Sequence, residues 1–217
     1  MPALRENPTC SSDPPQSGVL YPCRRGFSLI ELLVTLAIIL VLTTMFFGFN
    51  SASHQRQQLK LCRQNLQTIF VSLEIYSGDS SGKFPVVAAA RTSEPVLALL
   101  VPRYTVDTSV FICPGGKDSP LPAGEDFAGK KISYAYYMGR FANHPAAALM
   151  SDRQVDVQSK APGDSLFSTA GQPPGNNHSK FGGNLLFCDG HLESFPSLTP
   201  AALPVDSGIV LLNPRPR

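Results

Sequence analysis

FSLIELLVTLAIILVLTTMFFGF, Phe27 to Phe49, is a run of 23 residues with one charge, Glu31, and no proline. As a helix rising about 1.5 Å per residue it is about 34 Å long, enough to cross a hydrocarbon core of about 30 Å with some tilt. Arg24 and Arg25 stand just before it. Basic residues on that flank predict a cytoplasmic N-terminus, with the bulk of the chain outside. Glu31 is the residue out of place, because an unpaired carboxylate in an apolar span is costly. Two readings stay open from geometry alone: a cationic partner, or a wet position at headgroup level.

The pattern changes after Ser51 but does not break. Leu59, Cys62, Leu66, Ile69, Leu73 and Tyr76 recur at steps of three and four, one narrow helical stripe between polar residues. Gly78 is the expected stop, with Pro85 shortly beyond. The spacing predicts one helix from Phe27 to Ser77. Its second part, 50–77, is amphipathic and packs its stripe on a small sheet, or on a second chain as a coiled coil; too few heptads support the latter.

Most of the 20 prolines and 17 glycines fall after residue 80, so 78–217 reads as a head of short strands and loops. EPVLALLV, 94–101, is a short helix ending before Pro102. Ser109 to Ile112 reads as a strand closed by Cys113-Pro114-Gly115-Gly116, Ile132 to Met138 as a second strand, and Ala147 to Arg153 as a third apolar piece. Residues 156–176 form a loop. Asn184 to Cys188 and His191 to Phe195 flank Asp189-Gly190, a hairpin signal that predicts a two-residue type I′ turn. The fold class expected is α+β: a long N-terminal transmembrane helix packed on a small antiparallel sheet.

The net charge of +2 gives no reason to expect nucleic acid. Of five cysteines, Cys10 and Cys23 precede the apolar run, leaving Cys62, Cys113 and Cys188. Cys113 and Cys188 are the pair wholly within the head and the candidate disulfide. The bland alternative is three buried thiols. No cysteine pair has zinc-knuckle spacing.

Arg24-Arg25-Gly26-Phe27-Ser28-Leu29-Ile30-Glu31-Leu32-Leu33-Val34 resembles the processing motif of type IV prepilins and type II secretion pseudopilins. The resemblance implies a leader of residues 1–26, cleavage between Gly26 and Phe27 by a prepilin peptidase, and N-methylation of Phe27. It implies that Glu31 pairs with the freed ammonium of a neighbouring subunit. The partners it implies are copies of the chain, other pilins and pseudopilins, and an inner-membrane assembly platform. The place it implies is the bacterial inner membrane, crossed once, with a periplasmic head on a pilin-like lollipop and later a filament. Arg24-Arg25 also resembles a twin-arginine export signal, with Ser51-Ala52-Ser53 as a weak cleavage site, but Glu31 and the length of the run argue against it. An uncleaved signal anchor is the other competitor. Cys113-Pro114, Ser133-Tyr134, Ser151-Asp152-Arg153 and a His178…Asp189-Gly190 order resemble prepilin-like proteins of planctomycete- and verrucomicrobium-type bacteria. There nine residues commonly separate the histidine from the aspartate; here it is ten.

His178, Asp189 and His191 form a candidate metal set, since a hairpin brings distant side chains together and imidazole with carboxylate suits zinc or manganese. Asp189 also has a sufficient role as a turn residue. Asp152 and Arg153 read as a local ion pair. No nucleophile elbow, phosphate loop or His-Glu-x-x-His is present, so no catalytic residue and no cofactor is expected. The competing class is a membrane-anchored extracytoplasmic binding or metal-dependent domain that uses the helix only as an anchor.

Overall fold

The computed structural model describes residues 27–170, 176–200 and 202–216; for 46–52 and 179 it describes the backbone alone. Helix α1 runs Leu29–Asp79, and a short helix α2 follows at Glu94–Leu97. Five strands complete the order: β1 Tyr134–Met138, β2 Ala148–Asp152, β3 Gly183–Phe187, β4 Leu192–Phe195 and β5 Val210–Leu212. The chain divides into two compact units, Met1–Phe46 and Phe47–Arg217.

In the first unit every described side chain from Phe27 to Met45 is exposed. Its hydroxyls do not interrupt that apolar surface. Thr35, Thr43 and Thr44 donate to the carbonyls of Leu32, Leu40 and Val41 at 2.8–2.9 Å, within the helix. Among the described residues no helix is long and apolar enough to cross a membrane. The expected leader, 1–26, lies outside the described residues, as do the side chains of 46–49 at the end of the apolar run.

The second unit is an antiparallel sheet in the order β4-β3-β2-β1-β5 with α1 packed on one face. Cys62, Leu66, Ile69 and Leu73 are fully buried, joined by Phe70, while Leu59 and Tyr76 are half-buried. The stripe is therefore covered by the sheet of the same chain. The period of two along β1 sorts its side chains. Tyr134, Tyr136 and Met138 join the core under α1, and Ala135 and Tyr137 join a second cluster on the other face with Leu185 and Leu211. Phe195, Leu203 and Val205 cover that second face. The result is the expected α+β arrangement of a helix on a small antiparallel sheet.

Four local expectations change. Gly78 lies inside α1; the chain turns away through Ser81 (φ +56°) and Gly82 (φ +77°), with Gly82 N donating to the Ser77 carbonyl at 2.8 Å. Residues 108–111 form a 3-10 turn and not a strand, because Asp107 accepts from Ser109 N at 3.0 Å and caps it. The hairpin is present, but its turn is not type I′: Gly190 has φ +85° and Asp189 does not have positive φ. Phe187 N donates to the His191 carbonyl and Gly190 N to the Phe187 carbonyl, each at 3.0 Å. This is a three-residue loop, Cys188-Asp189-Gly190, with glycine in the left-handed position. Finally, β5 was not anticipated; Val210 to Leu212 is too short a run to stand out, and its pairing with β1 makes it a strand.

Candidate functional site

Two places carry chemistry. The first is the start of α1. Phe27 is exposed, and Ser28 N donates to a Glu31 carboxylate oxygen at 3.3 Å. Glu31 thus accepts from one free N–H at the start of its own helix, a favourable place for an anion. It is also the only charged residue between Phe27 and Phe49. Gly26 lies outside the described residues.

The second place is a buried polar cluster under α1. Cys62 comes from the helix stripe, and Cys113 follows the capped turn at 108–111. Asp152 ends β2, and His178 precedes the 3-10 turn Ser179–Phe181. Cys62 and Cys113 are joined as a disulfide across a separation of 51 residues. This overturns the Cys113–Cys188 pairing: Cys188 is a free buried thiol in the hairpin loop. Its backbone N–H donates to the Ala147 carbonyl at 2.9 Å, and burial pushes the thiol up to about 11. The helix stripe that made Cys62 look like one more apolar residue is what brings it over Cys113.

His178 is fully buried. Its Nε2 lies 3.3 Å from Cys113 Sγ and 3.4 Å from Asp152 Oδ1. Asp152 is also fully buried and is held on both oxygens. Asn177 Nδ2 donates to Oδ1 at 2.7 Å, and Asn184 donates to Oδ2 from its backbone N at 2.8 Å and from Nδ2 at 3.1 Å. Asn184 Nδ2 also reaches the Leu59 carbonyl at 3.0 Å, tying the cluster to α1. Burial first, and then the charge of Asp152, hold the Tyr134 hydroxyl well above its usual pKa. The two sulfurs, an imidazole nitrogen and a carboxylate oxygen all lie within 4.8 Å of one another.

The Asp152–Arg153 ion pair is not formed. Arg153 Nη2 instead lies 3.2 Å from Asp118, with both side chains buried. Nor does the set of His178, Asp189 and His191 come together. Asp189 and His191 are exposed and bonded to each other at 2.6 Å, with His191 stacked on Phe187. The hydrogen bond from His191 N is the main cause that holds the Asp189 carboxyl below its ordinary value. His178 belongs to the buried cluster. No spacing rule would have found that cluster, because its members are spread from residue 62 to residue 178.

Residues 22–47 match the family model of the prokaryotic N-terminal methylation motif. That match supports a type IV prepilin- or pseudopilin-like protein. The prepilin-like motif implies processing by a prepilin peptidase and pilin-type assembly in general. No curated protein and no solved structure matches the chain.

Proposed function

We propose that this prepilin-like chain is a structural subunit, not an enzyme, of a type II secretion pseudopilus or type IV pilus-like filament. It is cut after Gly26, methylated at Phe27, held in the bacterial inner membrane with its head in the periplasm, and then drawn into the filament. One observation carries the reading: the described side chains from Phe27 to Met45 present an uninterrupted exposed apolar surface, with Glu31 its single charge. Such a surface calls for lipid or for other apolar helices.

In the filament the Glu31 carboxylate leaves its own helix cap for the Phe27 ammonium of an adjoining copy. A misregistered neighbour leaves a buried charge unpaired, so the pair sets register more than it adds cohesion. Apolar packing along 27–49 supplies the cohesion. Partners under this reading are copies of the chain, other pilins or pseudopilins, the peptidase and an inner-membrane platform.

Mass spectrometry of the protein recovered from cells tests the first step. A mature N-terminus at methylated Phe27 is expected; a chain that still begins at Met1, or begins past Ser53, defeats the reading. Gly26→Glu leaves the full-length precursor in the membrane. Glu31→Ala leaves processing intact and lowers filament yield, and a normal yield removes the register role. A second reading, a tethered extracytoplasmic metal-dependent domain, is favoured by the buried cysteine, aspartate and histidine cluster. Under it, filament yield is irrelevant and the head's behaviour toward metal is decisive.

A further inference from the structure

The buried cluster holds more chemistry than a disulfide alone requires. Asp152 is a buried carboxylate whose only ion-pair partner among the described residues is His178. His178 turns Nε2 toward a sulfur and a carboxylate, while its Nδ1 is buried with no hydrogen-bond partner among the described residues. A histidine placed only to bond Asp152 would not need a sulfur on the same side. Buried charges in proteins are usually paired or coordinate a metal.

We propose that Cys62, Cys113, Asp152 and His178 form a redox-gated zinc site: the reduced chain binds one Zn²⁺ through two thiolates, His178 Nε2 and Asp152 Oδ1, and disulfide formation excludes the ion. The ligand types fit, since two sulfurs, an imidazole and a carboxylate make a four-coordinate zinc set. The spacing fits as well. Zinc bonds of about 2.3 Å to sulfur and about 2.0–2.2 Å to nitrogen and oxygen give tetrahedral edges of roughly 3.3–3.8 Å. His178 Nε2 already stands 3.3 Å from Cys113 Sγ and 3.4 Å from Asp152 Oδ1. The sulfurs must separate, which opening their covalent bond permits, and the remaining ligand pairs already lie within 4.8 Å.

The outer contacts are those a metal carboxylate needs. Asn177 and Asn184 fix both Asp152 oxygens. Gly115 leaves room for the imidazole: a Cβ there would lie 2.6 Å from His178 Nδ1. The chemistry balances in both directions. A phosphine attacks the disulfide; with one water it yields two thiols and a phosphine oxide. Zn²⁺ then displaces the two thiol protons to solvent. In return, an external disulfide takes two electrons from the thiolates, becomes two thiols with protons from water, and the Cys62–Cys113 bond releases the ion.

The test uses the full chain in detergent with Cys10→Ser and Cys23→Ser, so that the N-terminal thiols do not bind metal. It is reduced with a water-soluble phosphine, which is then removed, and titrated with Zn²⁺ alone and with Co²⁺ as a spectroscopic probe. One ion per chain is expected, with two protons released and the intense visible bands of a tetrahedral cobalt thiolate. The oxidised chain takes up none. His178→Ala abolishes the spectrum. Asn184→Ala weakens binding by about 10–100-fold, as loss of an outer-shell partner does. Gly115→Ala, which removes no ligand, also weakens it. Circular dichroism of each reduced variant separates lost ligation from lost fold. The proposal is overturned if the reduced chain binds zinc no better than the oxidised chain, or if a folded His178→Ala or Asp152→Asn variant keeps the wild-type affinity and proton release.

Discussion

The two units of this chain solve the problem of polarity in opposite ways. From Phe27 to Met45 apolar side chains face outward and one carboxylate, Glu31, caps its own helix. From Phe47 onward the chain hides polar groups: Asp152, Arg153, Lys160, His178 and Asn184 are each no more than 2% exposed. The head can afford this because most of its buried polar side chains bond to one another or to the backbone. The apolar half of α1 leaves its demand open, to be met by other molecules. A substitution should therefore alter stability in the head and assembly in the apolar half.

The largest effect that could break this division lies at Arg153. Its guanidinium reaches Asp118 and the carbonyl of Arg215, at 2.8 Å, and Ser133 Oγ donates to Asp118 at 2.6 Å. Asp118→Ala leaves a buried cation without its carboxylate, which costs about 3–5 kcal/mol. Urea unfolding of the full chain in detergent measures it. Leu36→Ala, in the exposed apolar half, changes head stability by less than about 0.5 kcal/mol in the same experiment. Equal effects from the two would mean that the units do not divide the work as described.

The pattern of what was legible follows the same division. The apolar run, its single charge and the helical stripe are local and periodic, and both the helix and its covered face could be read from residue spacing. So could β1, β2 and the hairpin, where apolar runs meet turn residues. The buried cluster could not. Asp152 is adjacent to Arg153 in sequence, and adjacency suggested a pair, yet Asp152 ends β2, Arg153 lies just past it, and the two meet different partners, His178 and Asp118. Cys113 was matched with Cys188 because both lie in the head, while the helix stripe carried Cys62 to it. Contacts made by tertiary packing leave no period to detect. At Ser109 a local signal was read wrongly: β-prone residues lost to a side-chain cap from Asp107.

Two glycines sharpen the comparison between the helix and the head. Gly190 has φ +85°, and an added Cβ would strike the Phe70 ring of α1. Gly190→Ala combines left-handed strain with a clash and should destabilise the head by about 1–3 kcal/mol. Gly78 sits in the last turn of α1 with open space around it and no positive φ. Gly78→Ala should stabilise by about 0.5–1 kcal/mol, the ordinary helix preference. Thermal melts of the pair check the signs. A destabilised Gly78→Ala would show that the end of α1 is under a constraint its surroundings do not reveal.

A further expected effect is a pH slope that belongs to the head. Lys160 is buried; its Nζ donates to Gln154 Oε1 at 3.0 Å and to the Val157 carbonyl at 2.6 Å. Burial pulls its pKa down to about 8, against the opposing charges of Asp156 and Asp164. In the unfolded chain the same amine titrates at its ordinary value of 10.5. Between these values the unfolded state holds the proton and the folded state has released it, so this group makes stability rise with pH across that window. Below about 8 both states are protonated and the cost of burying the charge is constant. Cys188 works the other way: burial raises its thiol to about 11, so over the window between its ordinary value and 11 it makes stability fall. Wild type alone would show a blurred sum of these two and of the buried tyrosines Tyr134, Tyr136 and Tyr137, whose hydroxyls burial also raises. Subtracting the unfolding curve of Lys160→Met from that of wild type removes the Cys188 and tyrosine contributions. The difference should be flat below pH 8, climb toward pH 10.5 and then level off. A difference that stays flat throughout would mean that the Lys160 amine is wet, and that the head does not enclose this charge as its neighbours indicate.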